Sequence, residues 1–260
     1  MNPITSLIKR YPLIAFFSLA YGLSWAVYPL LAVSPMLGII ALFGPAIAAI
    51  VVSVLTGGRA AIAALFQRLG RWRIPIHWYA IAAGLPLLLG LAAALLNVVL
   101  GAPLPNQLAP VMLINIILIL LVVGEELGWR GYALPKLLES HSALSASLIL
   151  GVLWAGWHLP GFFIPGLPQY GEPFLGYLLW FIALSVLFTW LYQHTQGSVL
   201  LATVFHGMHN LSGVFLYGVE PARQRWLLAA VSVAAALLII LMNRWRLRRS
   251  LPLQDQAATA

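Results

Sequence analysis

The sequence predicts an all-α fold, a polytopic membrane bundle of about eight transmembrane helices. Three observations support this prediction. Hydrophobic residues make up 62% of the 260 residues and charged residues only 8%, whereas about 25% of a typical soluble protein is charged. The apolar residues form eight runs, each near the roughly 20 residues that a helix needs to cross a bilayer. Ten Trp and nine Tyr suit the aromatic belts at the two membrane surfaces.

The eight predicted spans follow one another with short connections. They cover residues 12–33, 36–56, 77–100, 109–134, 142–162, 174–194, 198–217 and 225–243. The arginine-rich stretch 57–76 separates the second span from the third, and 60–69 is predicted to be a short amphipathic helix on the membrane surface. We expect residues 1–250 to form one integral membrane domain and 251–260 a disordered tail.

The basic residues predict the orientation. With eight spans, both termini share one side with eleven of the basic residues: Lys9, Arg10, Arg59, Arg68, Arg71, Arg73, Lys136, Arg244, Arg246, Arg248 and Arg249. The other side has Arg223 and Arg225. Because basic residues concentrate on the cytoplasmic side, both termini are predicted to be cytoplasmic. These residues lie between apolar runs rather than on one surface, so we expect the bilayer and no nucleic acid as a partner.

Three short patterns place polar side chains inside apolar runs, where a charge costs about 2.5–3.5 kcal/mol on insertion scales. They are Glu125, Glu126 and Arg130 in the fourth span, Trp154 and His158 in the fifth, and His206 and Asn210 in the seventh. Glu125 lies 15 residues before the turn near Ser140 and His158 lies 18 after it, so the two side chains can meet between antiparallel helices. We therefore predict a polar cavity between these helices in the cytoplasmic half of the membrane, with residues 129–139 of a long fourth helix extending into the cytoplasm.

These residue types suit the hydrolysis of an amide bond. Glu125 and His158 can share a water and remove its proton, while His206 and Asn210, four residues apart on one helical face, can donate to an oxyanion. Glu126 and Arg130, one helical turn apart, can form an ion pair. A second arrangement stays open, in which Glu125, His158 and His206 hold a divalent metal such as zinc. His209 lies on a different face from His206, and we expect it to be structural.

At these residues the chain resembles the CAAX protease and bacteriocin-processing family of intramembrane endopeptidases, also called the Abi family. The family's motifs are Glu-Glu-x-x-x-Arg, Phe-x-x-x-His and His-x-x-x-Asn or Asp, and this chain has Trp154 in place of the Phe. The resemblance implies that Glu125 and His158 activate the attacking water, that His206 and Asn210 stabilise the oxyanion, and that Glu126 and Arg130 support the site. It also implies a membrane-associated peptide or protein substrate. The predicted depth of the cavity indicates that this substrate is reached from the cytoplasmic side, and the short loops favour a bacterial inner membrane as the location.

Two other hypotheses follow from the same residues. A non-catalytic family member would use the polar cavity to hold a peptide or a lipid, in an immunity or chaperone-like role. A transporter would use Glu125 as a proton-relay carboxylate, although no repeat symmetry relates the two halves of the chain. The endopeptidase hypothesis is favoured because it uses all three motifs.

Overall fold

The computed structural model describes residues 3–32, 34, 37–103, 117 and 120–242, and these residues form helices and turns without a β-strand. In chain order the helices are α1 (Pro3–Arg10), α2 (Pro12–Trp25), α3 (Gly38–Ala41), α4 (Gly44–Leu69), α5 (Ile76–Val99), α6 (Val123–Gly128), α7 (Leu134–Leu138), α8 (Ala143–Trp157), α9 (Phe174–His194), α10 (Val199–Leu211) and α11 (Pro221–Met242). A π-helical turn, Trp129–Ala133, joins α6 to α7. The predicted helical membrane bundle is confirmed.

Six stretches of the described residues are long and apolar enough to cross a membrane: Pro12–Leu31, Gly38–Leu69, Ile76–Val99, Phe174–His194, Val199–Leu216 and Pro221–Met242. They match six of the eight predicted spans. In the fifth predicted span, α8 has 15 residues, or about 22 Å at 1.5 Å per residue, less than the roughly 30 Å of a bilayer core. The first part of the fourth predicted span lies outside the described residues. Arg244 to Arg249 and the predicted tail 251–260 also lie outside them.

Local sequence accounts for several helix boundaries. Ser142 and Ser198 cap α8 and α10, because their side-chain oxygens accept hydrogen bonds from the backbone N–H groups of Ser145 and Leu201. Inside α4, Gly58 has φ 59° and ψ −145°, a conformation that favours glycine. This break separates an apolar segment from residues 59–69, where the sequence predicted a separate surface helix.

The core is centred on α9, whose sides pack against α8 and α11. The largest buried side chains of α9 include Leu184, Phe188 and Tyr192. A second layer forms where α4 packs against α2 and α6, and where α10 packs against α5. Gly151 lets α8 pack closely on α9, because an added Cβ at this position would lie 2.7 Å from the Cα of Ile182.

The first half of segment 129–139, which was predicted to protrude from the bundle, is instead packed inside the protein. Trp129, Arg130 and Leu134 are fully buried, and Trp129 packs its ring against Phe16 and Phe17 of α2. The pattern of polar and apolar residues suggested a free amphipathic end, but the aromatic residues of α2 cover its apolar side.

A buried ion pair joins the loop after α8 to the last helix. Arg225 donates to both carboxylate oxygens of Glu172, through Nε and Nη2 at 2.8 Å each. Its guanidinium also lies over the rings of Trp180 and Tyr177, at 3.7 and 4.7 Å from their centroids. The sequence pattern did not predict this pair, because Glu172 lies 53 residues from Arg225 along the chain.

Candidate active site

The Glu-Glu motif lies in the short helix α6, immediately before the π-helical turn. Glu125 is 4% exposed, and Glu126 and Arg130 are 0% exposed. The motif helix lies directly against α4, where an added Cβ at Gly128 would come within 2.4 Å of Pro45. Single π turns of this kind occur often at functional sites. The π turn contains Arg130, so the guanidinium and both carboxylates enter the same part of the core.

Glu126 is the centre of a buried charge network. Its Oε1 accepts hydrogen bonds from Arg130 Nη1 at 2.8 Å and from His206 Nδ1 at 2.7 Å. The Arg130 guanidinium lies between two aromatic rings, 4.1 Å from the centroid of Trp154 and 3.7 Å from that of Phe188. Such cation–π contacts stabilise a desolvated guanidinium. The ion pair expected between Glu126 and Arg130 is therefore present, and it also holds His206.

Glu125 has a different partner. Its Oε2 accepts a hydrogen bond from Trp154 Nε1 at 3.1 Å. Glu125 also interacts electrostatically with His206, Glu126 and Arg130. The motifs of the fourth, fifth and seventh predicted spans thus meet around this carboxylate. This indole hydrogen bond was not predicted from the sequence, although the Trp in place of Phe was the signal for an extra donor.

His158 directly follows the last residue of α8. The hydrogen bond of its ring defines which ring nitrogen carries the proton. Its Nδ1 lies 2.9 Å from the carbonyl oxygen of Trp154. Because a carbonyl only accepts, Nδ1 must carry the proton, which leaves the lone pair of Nε2 free in the neutral ring. The ring packs against Tyr177 and Phe181 of α9. His158 is thus oriented as a base whose free nitrogen is Nε2.

His206 is oriented by a carboxylate rather than by a carbonyl. Since the carboxylate of Glu126 accepts, His206 Nδ1 carries a proton as well. Nε2 then carries a second proton only in the imidazolium form. A role for His206 as an oxyanion donor therefore requires the doubly protonated ring, whose charge Glu126 would balance.

Asn210 and His209 stand apart from this cluster. Asn210 is exposed one helical turn after His206, and its side chain makes no hydrogen bond to another described residue. His209 is buried against the ring of Trp180, with centroids 4.8 Å apart. Neither of its ring nitrogens has a hydrogen-bond partner among the described residues. The structure thus brings together Glu125, Glu126, Arg130, Trp154, His158 and His206, but leaves Asn210 at the edge.

The alternative metal site does not fit this geometry. No group of three or more His, Cys, Asp or Glu side chains among the described residues is arranged to hold a metal ion. Nδ1 of His158 and Nδ1 of His206 are hydrogen-bonded to protein oxygens, so the nitrogen of each ring that could hold a metal is Nε2. As placed, these nitrogens and the Glu125 carboxylate do not converge on one metal position.

Comparisons with known proteins point to one family. Residues 105–212 match the family model described as type II CAAX prenyl endopeptidase Rce1-like. The protein named CAAX prenyl protease 2 from Methanococcus maripaludis is 35% identical over 103 residues, which cover 37% of this chain and 38% of the relative. The matched residues contain all three motifs. Over this segment the chain is similar to Rce1-like CAAX prenyl endopeptidases, which confirms the resemblance drawn from its motifs.

Proposed function

We propose that this protein is an intramembrane endopeptidase that hydrolyses a peptide bond of a membrane-associated protein or peptide. The observation that carries the proposal is the convergence of three motifs on one buried cluster. Within it, Trp154 is hydrogen-bonded to Glu125 through its indole N–H and to His158 through its backbone carbonyl. A carboxylate and an imidazole are costly inside a membrane protein. Their shared partner in the family-matched segment favours a catalytic role over a structural one.

The proposed reaction needs only groups of this chain and one water. Glu125 removes a proton from the water as its oxygen attacks the scissile carbonyl carbon, and His158 Nε2 accepts a hydrogen bond from the same water. His206 donates to the oxyanion that forms. The proton held by Glu125 then passes to the leaving nitrogen as the C–N bond breaks. Asn210 is proposed to assist at the oxyanion from the exposed end of α10.

The substrate class follows from the relative. The Methanococcus maripaludis protein is named a CAAX prenyl protease, so a peptide with a prenylated cysteine is the first substrate to test. An unprenylated peptide with an acyl tether would show whether the isoprenoid itself is recognised.

The experiment compares cleavage by the purified protein and by matched variants in lipid nanodiscs. We expect Glu125→Gln and His158→Asn to lower kcat by about 100- to 10,000-fold, the usual contribution of general acid–base catalysis. His194→Asn is the control, because the exposed His194 makes the same ring bond to the carbonyl four residues earlier, that of Trp190. A chelator arm tests whether a metal takes part.

The result that would overturn the proposal is undiminished cleavage in Glu125→Gln or His158→Asn with both variants folded. Binding of the uncleaved peptide by the wild type, without turnover of either peptide, would support a non-catalytic role in holding a peptide or lipid.

Sidedness is a separate part of the proposal. The charge asymmetry supports a cytoplasmic location for the end of the bundle that carries both termini, and we propose that substrate enters from that side. From that end, His206 lies about 11 Å and His158 about 22 Å along their helices, at 1.5 Å per residue. Both histidines therefore lie inside the bundle rather than at its end.

A further inference from the structure

Trp154 touches every motif of the candidate site. Its indole N–H donates to Glu125, and its carbonyl oxygen accepts from the ring of His158. The Arg130 guanidinium lies over its ring, and the ring of His206 meets it edge to face at 5.4 Å between centroids. The side chain is fully buried.

The two carboxylates of the motif are held differently. Oε1 of Glu126 accepts from two cationic or ionisable side chains. Among the described residues, the hydrogen bond to the Glu125 carboxylate comes from the Trp154 indole alone. The other oxygen of Glu125, Oε1, accepts no hydrogen bond from a described residue. It is therefore the oxygen that Trp154 leaves for another partner.

We infer that the indole N–H of Trp154 is a positioning group that orients the Glu125 carboxylate, engaging Oε2 and leaving Oε1 for the attacking water. This inference rests on the proposed function. Phenylalanine, the residue of the family pattern at this position, offers a ring for Arg130 and His206 but no donor for Glu125. The chain therefore orients its base with a hydrogen bond that the family pattern does not require.

Trp154→Phe isolates the donor from the ring. It keeps the aromatic packing against Arg130, Phe181 and His206, and removes only the N–H and part of the ring. We expect kcat to fall by about 10- to 100-fold, as for loss of a hydrogen bond to a charged group. KM should change by less than about threefold, because the indole orients the base rather than the substrate.

Trp129→Phe is the matched control. Trp129 is also fully buried, and its indole N–H has no hydrogen-bond partner among the described residues. It packs against Phe16, Phe17 and Trp157 rather than against Glu125. We expect this variant to retain wild-type kcat. Equal losses in the two variants, or wild-type kcat in Trp154→Phe, would overturn the positioning role.

A spectroscopic test does not depend on turnover. In protein labelled with ¹⁵N at the indoles, the Trp154 N–H resonance is the one that disappears in Trp154→Phe. We expect it to shift clearly in Glu125→Ala, while the Trp129 resonance stays in place. An unchanged chemical shift of the Trp154 indole N–H in Glu125→Ala would overturn the inference even if the protein is a peptidase. A shifted resonance without cleavage of any substrate would support the hydrogen bond and count against the proposed function.

Discussion

Glu125 and Glu126 are adjacent residues, but different kinds of partner hold their carboxylates. Glu126 balances the buried Arg130 and orients His206 through one oxygen atom. Among the described residues, Glu125 accepts a hydrogen bond from a neutral group, the indole N–H of Trp154. Removing a partner from a buried ion pair leaves an uncompensated charge in a medium that solvates it poorly. The supporting carboxylate is therefore expected to matter more for folding than the proposed catalytic one.

Glu126→Ala should lower the free energy of unfolding by about 3–5 kcal/mol, the usual cost of breaking a buried ion pair. Glu125→Gln keeps the shape of the side chain and an acceptor for Trp154, and should cost less than about 1.5 kcal/mol. Both values can be measured by denaturant unfolding in mixed micelles. A matched double variant, Glu126→Leu with Arg130→Met, should recover part of the loss because no charge remains unpaired. Equal destabilisation by Glu125→Gln and Glu126→Ala would contradict this division of roles.

At the scale of elements, the close packing of α8 on α9 positions the site residues Trp154 and His158. Gly151 is the contact point, and it lies one turn before Trp154 in α8. The atoms that an added Cβ would meet first belong to the backbone of α9, which cannot rotate away as a side chain could. Any separation of these helices would move Trp154 and His158 relative to Phe181.

Gly151→Ala should therefore destabilise the protein by about 1–3 kcal/mol, the usual cost of overpacking, and should also lower kcat. Gly84→Ala in α5 is the control, because an added Cβ there meets nothing within 4 Å. That change should be neutral or stabilising by up to about 1 kcal/mol, since alanine is the better helix former. Unfolding and cleavage measured on the same two preparations would test both effects. Gly151→Ala with wild-type stability would show that the two helices can separate without cost.

At the scale of the whole molecule, the ends of the bundle differ in charge. Lys136 of α7 and Glu139, which follows that helix, lie beside Tyr11 and Pro12 at the start of α2. The opposite end carries the loop that follows His158 and the Glu172–Arg225 pair. The charge asymmetry predicts that the first of these ends is cytoplasmic.

The chain contains no cysteine, so single cysteines can report the orientation directly. Ser140→Cys and Tyr170→Cys place a thiol at exposed positions at the two ends of the bundle. We expect a membrane-impermeant maleimide to label Ser140→Cys from the cytoplasmic face and Tyr170→Cys from the opposite face. Detergent-permeabilised vesicles, in which both should react, provide the control.

The reverse labelling pattern would place the His158 end of the site toward the cytoplasm and overturn the predicted orientation. An impermeant peptide substrate, added to vesicles of known orientation, would then show from which side the substrate enters.

Much of the fold and several site contacts were predictable because they depend on residues close together in sequence. The apolar runs predicted the helical membrane bundle, since burial in lipid requires long apolar stretches. The spacing of four between Glu126 and Arg130 predicted their ion pair, because helical geometry brings such residues together. The order and spacing of the three motifs predicted the similarity to CAAX prenyl endopeptidases. Each of these features can be read along the sequence without knowing how the helices pack.

Other features depended on how separate helices pack. The shortness of α8, the burial of Trp129 and the exposure of Asn210 follow from where neighbouring helices end and which faces they cover. The bond from Trp154 to Glu125 spans 29 residues, and that from His206 to Glu126 spans 80. Helical periodicity specifies the face of a side chain on its own helix, but not the partner it meets on another. The sequence alone therefore predicted the motifs that form the candidate site, and the tertiary structure decided which of their residues meet and which carboxylate each donor holds.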